Sequence, residues 1–176
     1  DYEGLKPYIE KIKSGKPDVL WRGVPLYFCK TSGTTSGTKF IPITKESIAF
    51  QLKAARDSIM SYVNETKTLS VLDGKMLFLQ GSPKLEKTGE VLTGRLSGIV
   101  AHHVPAYLLK NRVPTMKTNY IEDWDTKVSS IVEETINKKM TLISGIPPWV
   151  LMYFEKIVEK TGKNIKEVFP NFNLFI

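Results

Sequence analysis

An α/β fold, with a largely parallel sheet flanked by helices, is predicted for this chain by three observations. Short apolar segments bounded by turn residues recur along it. Stretches with apolar residues at helical spacing lie between them. Met140–Ser144 and Phe172–Ile176 also lack in-out alternation, the pattern of strands buried on both faces of a parallel sheet.

The elements follow in order. Tyr2, Leu5, Ile9 and Ile12 fall at helical spacing, and Gly15 is the stop. Val24–Lys30 is extended, and Phe40–Ile43 forms a brief strand. Thr44 caps a helix running to about Glu65, with Ile48, Leu52, Ala55, Ile59 and Val63 on one face. Met76–Gln80 is a buried strand closed by Gly81-Ser82-Pro83. Lys84–Arg95 is an excursion or hairpin. Leu96–Leu109 is ambiguous, because Pro105 interrupts any long helix. Asp123 caps a helix whose core face holds Val128, Ile131, Val132, Thr135 and Ile136. Met140–Ser144 is the next strand. Pro147-Pro148 leads into a helix that Gly162 stops, and a short helix near Ile165–Val168 precedes the last strand. No repeat or linker interrupts the pattern, so one unit is expected. The chain opens inside a helical pattern and closes on a strand without a following turn. Both features predict an internal piece of a longer protein.

Composition narrows the class. With 41% hydrophobic and 24% charged residues, the chain is that of an ordinary globular protein. No apolar run reaches the ~20 residues that span a bilayer, so no membrane partner is expected. The net charge of +7 favours anions, but no basic run interleaves with aromatics, so no nucleic-acid partner is expected. The single cysteine, Cys29, has no disulfide partner within the chain and fits a reducing, cytoplasmic setting. It reads as a small apolar residue rather than a nucleophile.

The stretch Thr31-Ser32-Gly33-Thr34-Thr35-Ser36-Gly37-Thr38-Lys39 is the most informative. It holds six hydroxyls, two glycines and one lysine, and after it no acid occurs until Glu46. Phosphate oxygens need donors, which hydroxyls and backbone N–H groups supply. Glycine lets the backbone approach, and lysine adds a positive charge. A Walker A loop does not fit, because Thr38 separates Gly37 from Lys39 and the glycine spacing is too short. No Gly-x-Gly-x-x-Gly fingerprint is present either. A flexible Ser/Thr/Gly linker is disfavoured by the β-type segments on both sides.

This loop resembles the phosphate loop of adenylate-forming enzymes, the superfamily of acyl-CoA synthetases, luciferases and peptide-synthetase adenylation domains. Ser36 before Gly37, and the lack of a proline before Lys39, bring it closer to the auxin-responsive acyl-acid amido synthetases, which include bacterial relatives. Tyr2-Glu3, Pro7-Tyr8-Ile9, Leu96-Ser97-Gly98-Ile99, His103-Val104-Pro105, Asp123-Trp124 and Gly145-Ile146-Pro147-Pro148-Trp149 also resemble segments of that family.

The resemblance implies that residues 1–176 are part of the large N-terminal adenylation domain, without the C-terminal domain. It implies an ATP-dependent ligase that makes acyl-AMP from a carboxylic acid and then joins the acyl group to an amino acid. Lys39 would be the catalytic residue, and Thr31, Ser32, Gly33, Thr34, Thr35, Ser36, Gly37 and Thr38 would hold the phosphates, with Mg²⁺ offsetting their charge. The family's Tyr-x-x-Ser-Glu segment, which holds adenine and metal-bound phosphate, and its Tyr-x-x-Gly-Asp segment, which holds ribose, are expected beyond Ile176. An acyl-CoA ligase and a non-catalytic interaction module are the rivals.

Other residues are read more plainly. His102 and His103 are the only histidines. On a strand they would face opposite ways, so one, taken as His103, lines the acyl pocket and the other is exposed. Trp149 walls that pocket or belongs to the core. Arg95 reads as a surface residue, and Asp123 and Asp125 as helix-start residues. No cluster of metal ligands stands out.

Overall fold

The computed structural model describes residues 1–31 and 37–176. The chain divides into two compact units instead of the single one expected: Asp1–Ser58 with Pro83–His103, and Ile59–Ser82 with Val104–Ile176. Each unit has its own sheet, and each sheet assembles its own core.

The first unit opens with helix α1 (Tyr2–Lys13), whose Asp1 side chain accepts the Gly4 N–H at 3.0 Å. Strands β1 (Tyr27–Lys30) and β2 (Phe40–Ile43) pair antiparallel, with Lys30 opposite Phe40. Helix α2 (Lys45–Thr66) follows, and the Thr44 hydroxyl accepts the Ser47 N–H at 3.1 Å as its cap. The excursion at Lys84–Arg95 is a hairpin of β4 (Glu86–Thr88) and β5 (Val91–Gly94). β5 also pairs parallel with β1, giving the order β2-β1-β5-β4. Helix α3 (Leu96–Ala101) closes the unit.

Strand alternation builds its core. Phe28 packs on one side with Ile9 and Ile12 of α1 and with Val91. Tyr27 and Cys29 point the other way, to a cluster of Ile43, Ile48 and Ile99.

In the second unit, β3 (Lys75–Phe78), β6 (Arg112–Val113), β7 (Met140–Ser144) and β8 (Leu174–Phe175) form a sheet ordered β6-β3-β7-β8. Every pairing in it is parallel, as the apolar runs predict. Between the strands come α4 (Ala106–Leu109), α5 (Met116–Asn119), α6 (Trp124–Thr135), α7 (Pro147–Thr161) and α8 (Ile165–Val168). One sheet face, with Leu77, Val113 and Ile143, packs against Val128, Ile131 and Val132 of α6 and Val150, Tyr153 and Ile157 of α7. The other face, with Met76 and Leu142, takes Val71, Tyr62, Val63 and Leu108. Burying an aliphatic side chain completely stabilises by roughly 1.5–3 kcal/mol, so this doubly covered sheet is the larger source of stability.

Two expectations are corrected. The stripe on α2 does not serve one core: Ile48 and Leu52 join the first unit's cluster, whereas Tyr62 and Val63 join the second's, and Ala55 is exposed. The helix is 22 residues long and runs past the end of a single core, so its apolar face is divided. The second correction is that His102 and His103 do not lie on a strand but in the turn that ends α3. The backbone carries on helically past Ala101 instead of extending, so side-chain direction there does not alternate.

Candidate functional site

The loop Thr31–Lys39 is the connection of the β1–β2 hairpin. Ser32, Gly33, Thr34, Thr35 and Ser36 lie outside the described residues. The foot of the loop is closed by a reciprocal pair: the Thr31 N–H donates to the Lys39 carbonyl at 3.0 Å, and the Lys39 N–H donates to Thr31 Oγ1 at 3.2 Å. Thr31 is thus a hairpin clasp as well as a hydroxyl at the loop mouth. Gly37 has φ +76°, which L side chains rarely adopt, and a Cβ built there meets nothing within 4 Å. Gly37 is therefore needed for its backbone shape and not to avoid a clash. Gly37 and Thr38 are exposed, while Thr31 and Lys39 are half-buried.

The charge around the loop is positive or neutralised. Lys39 Nζ lies 5.7 Å from the centroid of the Tyr2 ring. Lys30 pairs with Glu86 at 2.6 Å, and this ammonium holds the Glu86 carboxyl below its ordinary pKa. At the head of α2, Glu46 takes its own backbone N–H and the Thr44 hydroxyl, and these bonds lower its pKa. The stretch from Thr31 through Lys45 carries no carboxylate.

Two further clusters contain the remaining predicted residues. In the first unit, half-buried His103 has Nε2 3.1 Å from the Tyr27 hydroxyl, and the two rings meet edge-on at 5.6 Å. His102 is exposed, and its Nε2 lies 2.8 Å from the Pro83 carbonyl, to which it donates. Near them, burial pushes the Cys29 thiol up, with a smaller opposing effect from the Leu96 N–H. The thiol therefore stays protonated at neutral pH. In the second unit, Trp149 at the head of α7 packs on Trp124 at the head of α6, with ring centroids 4.4 Å apart. Trp124 Nε1 donates to Met152 Sδ at 3.4 Å. Asp123 accepts from Thr126, which lowers its pKa, and it acts as the helix cap the sequence predicts. Arg95 is exposed at the start of α3.

Among the described residues, sequence reasoning missed two buried charges, Arg112 of β6 and Lys127 of α6. Lys127 on α6 is 2% exposed and donates to the carbonyls of Gln80 at 3.1 Å and Asn119 at 2.8 Å. Burial lowers its pKa. Its place on the helix is legible, since it neighbours Val128 on the core side, but its carbonyl partners are not.

The comparisons decide the family. The model of the GH3 family N-terminal domain matches residues 1–113, well over half of the chain. This chain belongs to the GH3 family. No curated protein sequence matches it. Among solved structures, it is similar to AtGH3.15 acyl acid amido synthetase in complex with 2,4-DB, with TM-score 0.59 and 17% identity over 90% of this chain. A second structure, GH3.15 acyl acid amido synthetase, gives TM-score 0.61 and 18% identity over 90% of the chain. At such identity these likenesses establish the fold. The GH3 chain spans 28% of the length of each of these structures.

Proposed function

We propose that this GH3 chain is the phosphate-binding part of an ATP-dependent acyl-acid amido synthetase. Such an enzyme converts a carboxylic acid to acyl-AMP and passes the acyl group to an amino acid. The observation that carries the reading is the clasped hairpin foot, which presents Lys39, the Thr31 hydroxyl and a positive-φ Gly37 at one loop mouth without a carboxylate.

ATP is the substrate of the first half-reaction. The carboxylate attacks the α-phosphorus, and pyrophosphate leaves. Charge grows on the leaving oxygens, and fixed donors stabilise it without reorganising. Lys39 meets that charge, while Thr31, Gly37, Thr38 and the intervening Ser32–Ser36 segment hold the β- and γ-phosphates. Among the described residues no group of three His, Cys, Asp or Glu stands together. Mg²⁺ would accompany the phosphates of ATP and offset their charge. In the second half-reaction the amine of an amino acid attacks the acyl carbon and AMP leaves. His103, supported edge-on by Tyr27 within the first unit, is proposed as a residue against the acyl group. The adenine, ribose and acceptor elements belong to parts of the enzyme outside residues 1–176. A cytoplasmic location completes the proposal. Among the described residues no helix is long and apolar enough to cross a membrane.

ATP–pyrophosphate exchange in the complete enzyme, driven by a panel of carboxylic acids, tests the reading. Exchange followed by amide formation with an amino acid is expected, and residues 1–176 alone should not turn over. Thioester formation with coenzyme A would replace amide synthesis with acyl-CoA ligation. Absence of exchange with every acid would favour an interaction module.

A further inference from the structure

Helix α1 ends up at the base of the loop for reasons that lie in the backbone. Among the described residues β2 is an edge strand of its sheet, paired with β1 alone. Lys39 and Ile41 turn their backbone toward β1, so Phe40 turns its N–H and C=O outward. An edge N–H left in apolar surroundings is costly. The Tyr2 hydroxyl answers it: the Phe40 N–H donates to Tyr2 Oη at 2.7 Å, and the same hydroxyl lies 3.5 Å from the Phe40 carbonyl, to which it donates. The Phe40 ring is held as well. It meets Phe28 edge-on at 5.9 Å, and Lys13 Nζ of α1 stands 3.9 Å from its centroid. The residue next to Lys39 is thus fixed through both backbone and side chain, and the Tyr2 ring lies beneath the Lys39 ammonium.

We propose that Tyr2 is a positioning residue for Lys39. Its hydroxyl sets the backbone at the loop foot, and its ring limits where the ammonium can go. The inference rests on the phosphate reading above, because it assigns Tyr2 a share in how Lys39 meets the triphosphate. Helix α1 contains a built-in control: Tyr8 also has a lysine over its ring, Lys11 at 5.6 Å, but is 43% exposed and pairs with a lysine of its own helix.

The experiment is a double-mutant cycle in the complete enzyme, reading kcat and KM for ATP by pyrophosphate exchange beside melting temperature. Tyr2→Leu is expected to lower kcat/KM for ATP about tenfold, and Tyr2→Phe, which keeps the ring, about threefold, in line with the worth of one hydrogen bond and one cation–ring contact. The KM for the carboxylic acid should stay put. In a Lys39→Ala background Tyr2→Leu should cost nothing further, because the residue it positions is gone. Tyr8→Leu should be silent. Equal losses in both backgrounds, or an equal loss from Tyr8→Leu, would reduce Tyr2 to a packing residue. Normal kinetics in Tyr2→Leu with slow Lys39→Ala would overturn this proposal alone. Normal kinetics in Lys39→Ala would overturn the phosphate reading and this proposal with it.

Discussion

The two units spend their apolar residues differently. In the second, a parallel sheet is covered on both faces, and Met140, Thr141, Leu142 and Ile143 of β7 are successively buried. In the first, a mixed sheet gives each face a small cluster, and Ile41 of β2 is 41% exposed. The loop with the phosphate-type residues sits on the thinner of the two. A short hairpin can present a loop of donors because its own core asks little of it. A strand buried on both sides has no freedom to do so. Stability and chemistry are therefore expected to separate along the sequence.

The largest effect should come from the doubly covered sheet. Ile143→Ala is expected to destabilise by about 2–5 kcal/mol, whereas Ile41→Ala on the edge strand should stay within about 0.5 kcal/mol. Denaturant midpoints measure both, and similar values would erase the contrast. The next effect reverses it. Lys39→Ala should slow adenylation at least about tenfold, a loss of ~1.4 kcal/mol of transition-state stabilisation, in kcat as well as kcat/KM, with little change in melting temperature. Gly37→Val should be as harmful by another route, since a β-branched residue resists φ +76°. Near-normal rates in both folded variants would remove the phosphate assignment.

Lys127 offers a smaller, pH-resolved test. Burial lowers its pKa in the folded chain, so the unfolded chain holds the proton to higher pH. Stability should then rise with pH from the lowered native value up to the ordinary 10.5. Lys127→Met should lose that rise, and a difference curve between the two proteins isolates it from other titrations. Parallel curves would show that the burial of Lys127 carries no charge cost. Cys29→Ala should change least, because its thiol is protonated and half-buried. Both the exchange rate and the melting temperature should stay near those of the parent.

What could be read from the sequence follows the range of the forces involved. Local rules placed the caps at Thr44 and Asp123, the stop at Gly162, the short helix at Ile165–Val168 and the parallel strands around Phe78, Leu142 and Leu174. Each depends on a few neighbouring residues. The Thr31–Lys39 stretch stands out in the sequence because its hydroxyls, glycines and lysine occupy consecutive positions, and its phosphate role is the proposal made above. The division of α2 between two cores was not, since its stripe is continuous in sequence and only tertiary packing breaks it. The contacts of Tyr2 with Phe40, Tyr27 with His103 and Trp124 with Trp149 join residues far apart in the chain. Nothing in their local pattern announces a partner. Tyr2 in particular reads as one more apolar step on a helix face.

The Tyr2–Phe40 bond bears on a hazard unconnected with catalysis. The outer margin of β2 would offer a template for a stray strand from another molecule. Along that margin the Phe40 N–H is already taken, and two residues on Pro42 has no N–H to give, at a position where its ring costs no bond to β1. The outward-facing donors of this short strand are thus plugged or missing. Removing the phenol would free one of them beside exposed Ile41, so a Tyr2 variant should be watched for fibrous self-association as closely as for its turnover.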